Sequence, residues 1–168
     1  MAGALIVTAE LGSEDHGWLD RQRRAHYPAE RNQLPAHLTM FHALPPSCEG
    51  ELRALLSAFA SERPPQAHID GLMNLGQGVA YRVVSPELDA IRAELSHDLR
   101  GLLSAQDSGG WRPHVTIQNK VTPRAAKETL EQLERGFRAG PVVISGLGLH
   151  RYLGGPWEKL AMYPFRGR

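Results

Sequence analysis

The chain has 168 residues, of which 42% are hydrophobic, and its 19 Lys and Arg against 18 Asp and Glu give a formal net charge of +1. This length predicts one domain, and the balanced charge argues against the global basicity that drives tight nonspecific binding to duplex nucleic acid. The single cysteine, Cys48, excludes an internal disulfide and a zinc site built from several cysteines.

The first half of the chain alternates strand and helix patterns. The segment from Ala4 to Leu11 predicts a strand. Its apolar run, Ala4 to Ala9, stops at Glu10 and is too short for a signal-peptide core or a membrane span, which favours a cytoplasmic protein without membrane contact. Ser13 followed by two acids predicts the start of a helix that ends before Pro28. The pattern then predicts a polar loop from Tyr27 to Pro35, a strand from Ala36 to Leu44, a helix from Glu49 to Ser61, and a hairpin of Ala67 to Leu75 and Val79 to Val84.

The second half repeats this alternation. Ser85-Pro86-Glu87 places a cap residue, a proline and an acid in the order typical of a helix start, and the apolar spacing carries that helix to about Ser104. The remaining elements are a loop from Gln106 to Gly110, a strand from Trp111 to Val121, a helix opened by Thr122-Pro123, and two strands at Val142 to Tyr152 and Trp157 to Phe165.

A short motif occurs once in each half. His37-Leu-Thr39-Met and His114-Val-Thr116-Ile lie 114 − 37 = 77 residues apart, each on a predicted strand that follows a strand and a helix. This order predicts a single domain, residues 1–168, built from two similar lobes that pack about a pseudo-two-fold axis.

The motif places an imidazole and a hydroxyl on one face of a strand, roughly 7 Å apart at their Cα atoms. Two such pairs facing each other would suit a phosphodiester. The hydroxyls can donate to nonbridging oxygens, one imidazole can take a proton from the attacking oxygen, and the other can protonate the leaving oxygen. The alternative is that His37, Thr39, His114 and Thr116 form a purely structural polar network.

With its two H-x-T-x motifs, the sequence resembles the two-histidine (2H) phosphoesterase superfamily, which includes 2′-5′ RNA ligase-like proteins and cyclic phosphodiesterases. The resemblance covers most of the chain and implies a bilobal α+β fold in which antiparallel sheets form a central cleft and helices pack outside. It also implies that His37 and His114 are the acid/base pair and that Thr39 and Thr116 hold the phosphate. Which histidine is the acid stays open.

Further candidates for substrate contact surround the motifs. Gln118 and Lys120 extend the polar face of the second motif strand, and Phe41 holds the matching position in the first, where it would stack on a base or fill the core. The others are loop or strand residues near the expected rim, each with a solvated or structural role as the alternative: Arg31, Asn32, Tyr81 and Arg82.

Other conspicuous residues receive structural interpretations. His42 should be a satisfied buried histidine on the face opposite His37, and Tyr152 and Trp157 should pack the last hairpin. The segment Asp20 to Arg24 reads as an exposed helix face, and Gly146-x-Gly148 matches no phosphate loop. No metal-binding motif is present, so we expect neither metal nor cofactor.

These observations favour a monomeric, metal-independent phosphoesterase that acts on a 2′,3′-cyclic phosphate of an RNA end or a nucleotide. The same groups would serve the reverse reaction, 2′-5′ ligation, by microscopic reversibility. Two non-enzymatic alternatives stay open, namely a module that binds RNA ends or nucleotides without turnover and a scaffold domain whose polar strands contact a partner.

Overall fold

The computed structural model of the chain describes residues 3–168, so the first two residues of the predicted domain lie outside the described residues. Within that range the strands are β1 (Leu5–Leu11), β2 (Leu38–Leu44), β3 (Gln66–Asn74), β4 (Val79–Val84), β5 (His114–Gln118), β6 (Gly140–Tyr152) and β7 (Trp157–Pro164). The α-helices are α1 (Ser13–His26), α2 (Glu49–Phe59), α3 (Pro86–Asp98), α4 (Ala105–Ser108) and α5 (Pro123–Gly136).

The seven strands of the described residues form an antiparallel system in which six follow the order β2-β1-β6-β3-β4-β5. Strand β7 pairs with the later part of β6, from Gly146 to Tyr152. Strand β6 joins the two halves. Its start, from Gly140, pairs with β3, and its later part, from Ile144, pairs with β1. The predicted α+β class with antiparallel sheets is confirmed, and the order β-α-β-α-β occurs in each half, with α4 added in the second.

The two motif strands lie at opposite ends of this strand order, yet they approach each other in space. Cα atoms of β2 and β5 come within 8 Å, although the two strands share no backbone ladder. The sheet therefore curves round so that its outer strands meet, and the predicted cleft between the lobes is the result.

Helix starts follow the capping chemistry of the sequence in two of three cases. The Ser85 hydroxyl accepts from the backbone N–H of Leu88, and the Thr122 hydroxyl accepts from that of Ala125, as predicted. Ser13 was expected to cap α1, but Gly12 occupies the cap position and no side chain caps that helix. Helix α3 ends at Asp98 rather than at the predicted Ser104, with Leu99 as its C-cap.

The helices bury their leucines against the sheet. Leu52 and Leu56 of α2 and Leu88 and Leu95 of α3 are fully buried and belong to one hydrophobic cluster that includes residues of both halves. Burying each such side chain contributes about 1.5–3 kcal/mol. Because the cluster contains residues of both halves, its burial also stabilises the curved sheet that brings the motif strands together.

A β-bulge in β2 overturns two predictions. Thr39 pairs with Thr8 and Phe41 with Val7, so the irregularity inserts Met40 as an extra residue and the alternation of faces shifts after it. Phe41, predicted on the face of His37 and Thr39, is instead fully buried in the core, and His42, predicted as buried, is exposed. With no accessible surface, Phe41 has no face for a substrate.

A second irregularity changes the end of β5. Val79 pairs with Gln118 but Ala80 pairs with Thr116, and Gln118 is buried with its Nε2 donating to Thr129 of α5 at 2.8 Å. Gln118 thus faces a helix and not the cleft, contrary to the prediction. The strand is also shorter than predicted.

Lys120 lies beyond the end of β5, beside the β3–β4 turn. A Cβ atom on Gly78 would collide with the backbone of Gln118, and the Val121 N–H donates to the Gln77 carbonyl at 3.1 Å, so the turn packs directly against the end of the strand. Lys120 itself adopts a left-handed backbone with φ 61°. Its side chain is exposed and off the strand on which we predicted it.

Part of the loop predicted from Gln106 to Gly110 is the short helix α4, which is fixed to β2 by a buried carboxylate. Asp107 accepts hydrogen bonds of 2.9–3.0 Å from the backbone N–H groups of His42 and Ala43, and lies 3.0 Å from His42 Nδ1. Burial alone would raise the pKa of Asp107, but these hydrogen bonds from His42 and Ala43 bring it below its usual value. The carboxylate therefore stabilises the fold in its charged form.

We expect Asp107→Asn to lower the free energy of unfolding by about 1–3 kcal/mol at pH 7, because the neutral amide loses the charge-assisted hydrogen bonds and replaces one acceptor oxygen with an NH2 donor. A carboxyl with a lowered folded pKa stabilises fully above its unfolded pKa of about 3.9 and loses that contribution as the pH falls through its folded pKa. The free energies of unfolding of parent and variant, measured with urea, should therefore differ by the same amount at pH 7 and pH 5. This difference should shrink below about pH 4.

Asp98→Asn, at the exposed end of α3, is the matched control and should change little. A deficit in Asp107→Asn that stays constant down to about pH 2, well below the usual carboxyl pKa, would contradict the role assigned to the buried carboxylate.

Candidate active site

Each motif histidine is oriented by the backbone just before it. His37 Nδ1 lies 2.9 Å from the carbonyl oxygen of Pro35, and His114 Nδ1 lies 2.8 Å from that of Arg112. Because a carbonyl oxygen only accepts, each Nδ1 carries a proton and donates it to this bond. The neutral form of either ring therefore has its lone pair on Nε2, and both imidazoles are held in the same tautomer.

The motif threonines follow two residues later on the same strands. Thr39 and Thr116 are half-buried, whereas their strand neighbours Leu38 and Val115 are fully buried in the core. The hydroxyls are therefore on the side of each strand that faces away from the core. Each motif thus presents an imidazole followed by a hydroxyl, as the alternation of strand faces predicts.

Both threonine carbonyls are held by side chains from outside the strand. Trp111 Nε1 donates to the carbonyl oxygen of Thr39 at 3.2 Å, so the segment before β5 holds β2. Arg23 Nη1 of α1 donates to the carbonyl oxygen of Thr116 at 3.0 Å, so the first half of the chain holds β5. Each motif is therefore fixed by a residue of the opposite half.

Arg23 is a residue whose role the sequence did not indicate, since Asp20 to Arg24 was interpreted as an exposed helix face. Its side chain is only 4% exposed, donates through Nε to Asn32 at 2.8 Å, and lies 4.3 Å from the ring centre of Tyr27. The one available signal was the helical period of about 3.6 residues, which puts Arg23 one turn after Leu19, a residue that is also buried. A buried cation thus lies close to both motifs.

The pKa of His37 is lowered to about 4. The largest cause is burial, which disfavours the charged ring; the hydrogen bond to Pro35 opposes it, and the positive charges of Arg23, His150 and His114 lower the pKa further. His37 is therefore neutral at pH 7 and keeps an acceptor at Nε2.

Residues that pair directly across neighbouring strands share a face, so the pairing shows which residues flank each motif. In the first sheet Thr39 pairs with Thr8, and Thr8 pairs with Gly148. In the second sheet His114 pairs with Arg82, whose Nε lies 2.7 Å from Asp70 Oδ1. Arg82 is thus beside His114 on the same face, which is where a substrate contact was predicted.

Beside His37 lies a cavity of about 610 Å³, and of the four motif residues His37 alone lines it. Trp157 lies on its wall, with its ring centre 4.7 Å from that of His37 and 5.3 Å from that of His150. The sequence favoured hairpin packing for Trp157 and assigned no context to His150, and the structure brings both next to the motif. Burial lowers the pKa of His150, with Glu10 opposing this and Lys159 adding to it.

The other predicted contacts lie apart from this cavity. Arg31 is exposed on a single 3-10 turn, Ala29–Arg31, and the Asn32 side-chain oxygen is occupied by Arg23. Tyr81 is buried against Trp18, with ring centres 5.3 Å apart, and so faces the core. Arg31 and Asn32 as substrate contacts stay predictions.

Residues 3–168 contain neither a candidate metal site nor a candidate membrane-spanning helix. No three His, Cys, Asp or Glu side chains in this range are grouped so that they could hold a metal ion. None of the helices described here has the length and apolar character needed to cross a membrane.

Two histidine–threonine strands at one cleft of a curved antiparallel sheet define the two-histidine phosphoesterase class. The sequence comparison agrees, because the family model described as the 2′-5′ RNA ligase superfamily matches residues 12–156. The chain belongs to this superfamily. No curated protein matches the sequence.

Solved structures share the fold at low sequence identity. TT0787 of Thermus thermophilus is 18% identical with a TM-score of 0.68, covering 98% of this chain and 99% of that one. LigT of E. coli in complex with NADP+ is 15% identical with a TM-score of 0.61 and 99% coverage of both chains. LigT in complex with 3′-AMP is 17% identical with a TM-score of 0.60, covering 98% and 99%.

We expect His37 to titrate with a pKa of about 4 in NMR spectra of its ring nitrogens. Because the unfolded ring has a pKa of about 6.5, the unfolded state binds more protons between these values, so the contribution of His37 to the free energy of unfolding falls as the pH drops from about 6.5 to about 4. The resonance is assigned by its loss in His37→Asn. A midpoint near the ordinary value of about 6.5 would contradict the burial of this ring.

Proposed function

We propose that the protein is a metal-independent phosphoesterase that opens a 2′,3′-cyclic phosphate, at an RNA end or on a nucleotide, by addition of water. The observation that carries this proposal is the identical fixing of His37 and His114. Each donates from Nδ1 to the carbonyl two residues upstream, and each therefore has Nε2 for the reaction. Two imidazoles with the same tautomer and different surroundings suit one base and one acid.

We assign the base to His37, because its lowered pKa leaves it neutral at physiological pH. In the reaction, His37 Nε2 takes a proton from water as the water oxygen bonds to phosphorus. The bond from phosphorus to one ribose oxygen breaks, and protonated His114 gives its Nε2 proton to that oxygen. The product is a phosphate monoester and a free hydroxyl, and exchange with solvent restores the two protonation states.

Negative charge grows on the nonbridging oxygens during this step, and the cleft has groups that can meet it. The hydroxyls of Thr39 and Thr116 are hydrogen-bond donors placed before the reaction begins. Arg82, which also pairs with Asp70, lies beside His114, and the buried Arg23 donates to the Thr116 carbonyl, so both bring positive charge close to the motifs. These residues offer a physical route to catalysis without a metal ion.

Two alternatives use the same site. Ligation is the reverse chemistry, with the 5′-hydroxyl of a second RNA end as the other reactant. Membership of the 2′-5′ RNA ligase superfamily supports it as an alternative. A binding module would hold the phosphate without turnover. The complex of E. coli LigT with 3′-AMP contains a nucleotide monophosphate, the kind of molecule that hydrolysis would release.

We expect His37→Ala and His114→Ala each to lower kcat for 2′,3′-cyclic nucleotides by roughly 10²–10⁴, because each removes one proton transfer. Substrate affinity, measured by calorimetry, should change much less. His97→Ala, an exposed histidine of α3, is the matched control and should keep parental kcat. Equal turnover in the parent and both motif variants would exclude the enzyme and leave the binding module.

We expect Thr39→Val and Thr116→Val each to lower kcat by roughly 10²–10³ while KM changes little, since the lost hydrogen bond strengthens in the transition state. Activity should survive EDTA. Loss of activity in the chelator that added zinc restores would contradict the metal-independent mechanism. The ³¹P spectrum of the product would show whether the 2′- or the 3′-phosphate forms.

A further inference from the structure

The cavity beside His37 is larger than the transfer of one phosphoryl group requires. At about 610 Å³ it falls within the range of pockets that hold whole small molecules. It extends from the first motif over β1, β6 and β7, where Glu10, Trp157 and Lys159 line it. It thus adjoins the reacting histidine and continues away from it.

Two glycines of β6 make room for side chains that line this cavity, namely Thr8, Glu10 and Met162. A Cβ atom at Gly148 would lie 2.5 Å from the Thr8 hydroxyl and 2.9 Å from the Glu10 carboxyl carbon, and one at Gly146 would lie 2.6 Å from Met162 Cε. Any other residue would displace those side chains. These are the glycines of the Gly146-x-Gly148 pattern, which matched no phosphate loop, and their role here is to make room.

A connected set of polar side chains lies on the same face. Lys159 Nζ is 3.0 Å from Glu10 Oε1, the Thr8 hydroxyl donates to Glu10 Oε2 at 3.3 Å, and the same hydroxyl lies 2.9 Å from His150 Nε2. Both carboxylate oxygens keep further lone pairs, and the ammonium keeps further donors. An acceptor pair and a donor are therefore held side by side at the cavity wall, with the Glu10 side chain only 20% exposed.

The apolar part of the wall suits a flat ring. Trp157 contributes an indole face whose centre is 4.7 Å from the His37 ring, and Leu34 and Met162 also line the cavity. An aromatic ligand stacked on Trp157 would thus lie next to the imidazole that acts on phosphorus. Base–aromatic stacking of this kind strengthens binding and tolerates any base, so selection among bases falls to the polar groups of the wall.

We propose that this cavity is a nucleobase subsite that selects guanine, a proposal that rests on the proposed function of the cleft. Guanine presents two adjacent N–H donors, N1–H and the exocyclic amine, to the two oxygens of Glu10, and its O6 accepts from Lys159. Adenine offers a donor beside an acceptor on that edge, and uracil places its single donor between two acceptors. Neither matches a carboxylate, and cytosine offers it only one amine.

The proposal predicts that the parent opens 2′,3′-cyclic GMP with a kcat/KM at least about tenfold above that for the cyclic nucleotides of adenine, cytosine and uracil, because a good bidentate contact discriminates by roughly that factor or more. In Glu10→Gln this preference should fall to about twofold or less, mainly through a higher KM for the guanine substrate. Glu30→Gln, an exposed glutamate of the turn before the first motif, is the matched control and should keep the preference.

A second measurement separates this proposal from the proposed function. If no cyclic nucleotide is hydrolysed, calorimetric binding of 3′-GMP against 3′-AMP still tests the subsite: a guanine preference that Glu10→Gln removes supports it. Equal affinity or equal kcat/KM for all four bases would overturn it, as would a guanine preference that survives Glu10→Gln. Thermal melting of each variant shows that it is folded.

Discussion

The approach of β2 to β5 is the constraint on which the rest of the structure depends. These are the outermost strands of the main strand order, and no backbone ladder joins them, although their Cα atoms come within 8 Å. Side chains hold the arrangement in place of a ladder, since Trp111 donates to Thr39 and Arg23 donates to Thr116. Each motif is thus fixed by the half of the chain that does not contain it.

The two motifs share their backbone chemistry but not their surroundings. His37 and His114 make the same bond to the carbonyl two residues upstream. Beside His37, however, lies a cavity with Trp157 on its wall, whereas beside His114 the neighbouring strand places Arg82 in an ion pair with Asp70. The two halves thus hold their imidazoles in the same way, and they differ in what lies beside each ring.

The failed predictions for Phe41, His42 and Gln118 share a physical cause. Their faces were predicted by continuing the alternation of strand faces past Thr39 and Thr116. An extra residue directly after each threonine changes that alternation and moves the side chains to other faces. Bulges depend on the partner strand, so local alternation does not reveal them. Arg23 was missed for a related reason, because its burial depends on Thr116, which lies 93 residues away in the chain.

The sequence by itself determined the strands, most helix boundaries, the α+β class and the two motifs, because periodicity, caps and side-chain chemistry act over a few residues. It also predicted imidazoles and hydroxyls as the reactive groups. Only the tertiary structure decided that the motif strands meet, that His37 is held neutral, and that a cavity lined by Glu10, Trp157 and Lys159 lies beside it. Those properties arise from burial and from contacts between residues far apart in the chain, for which no local pattern is a guide.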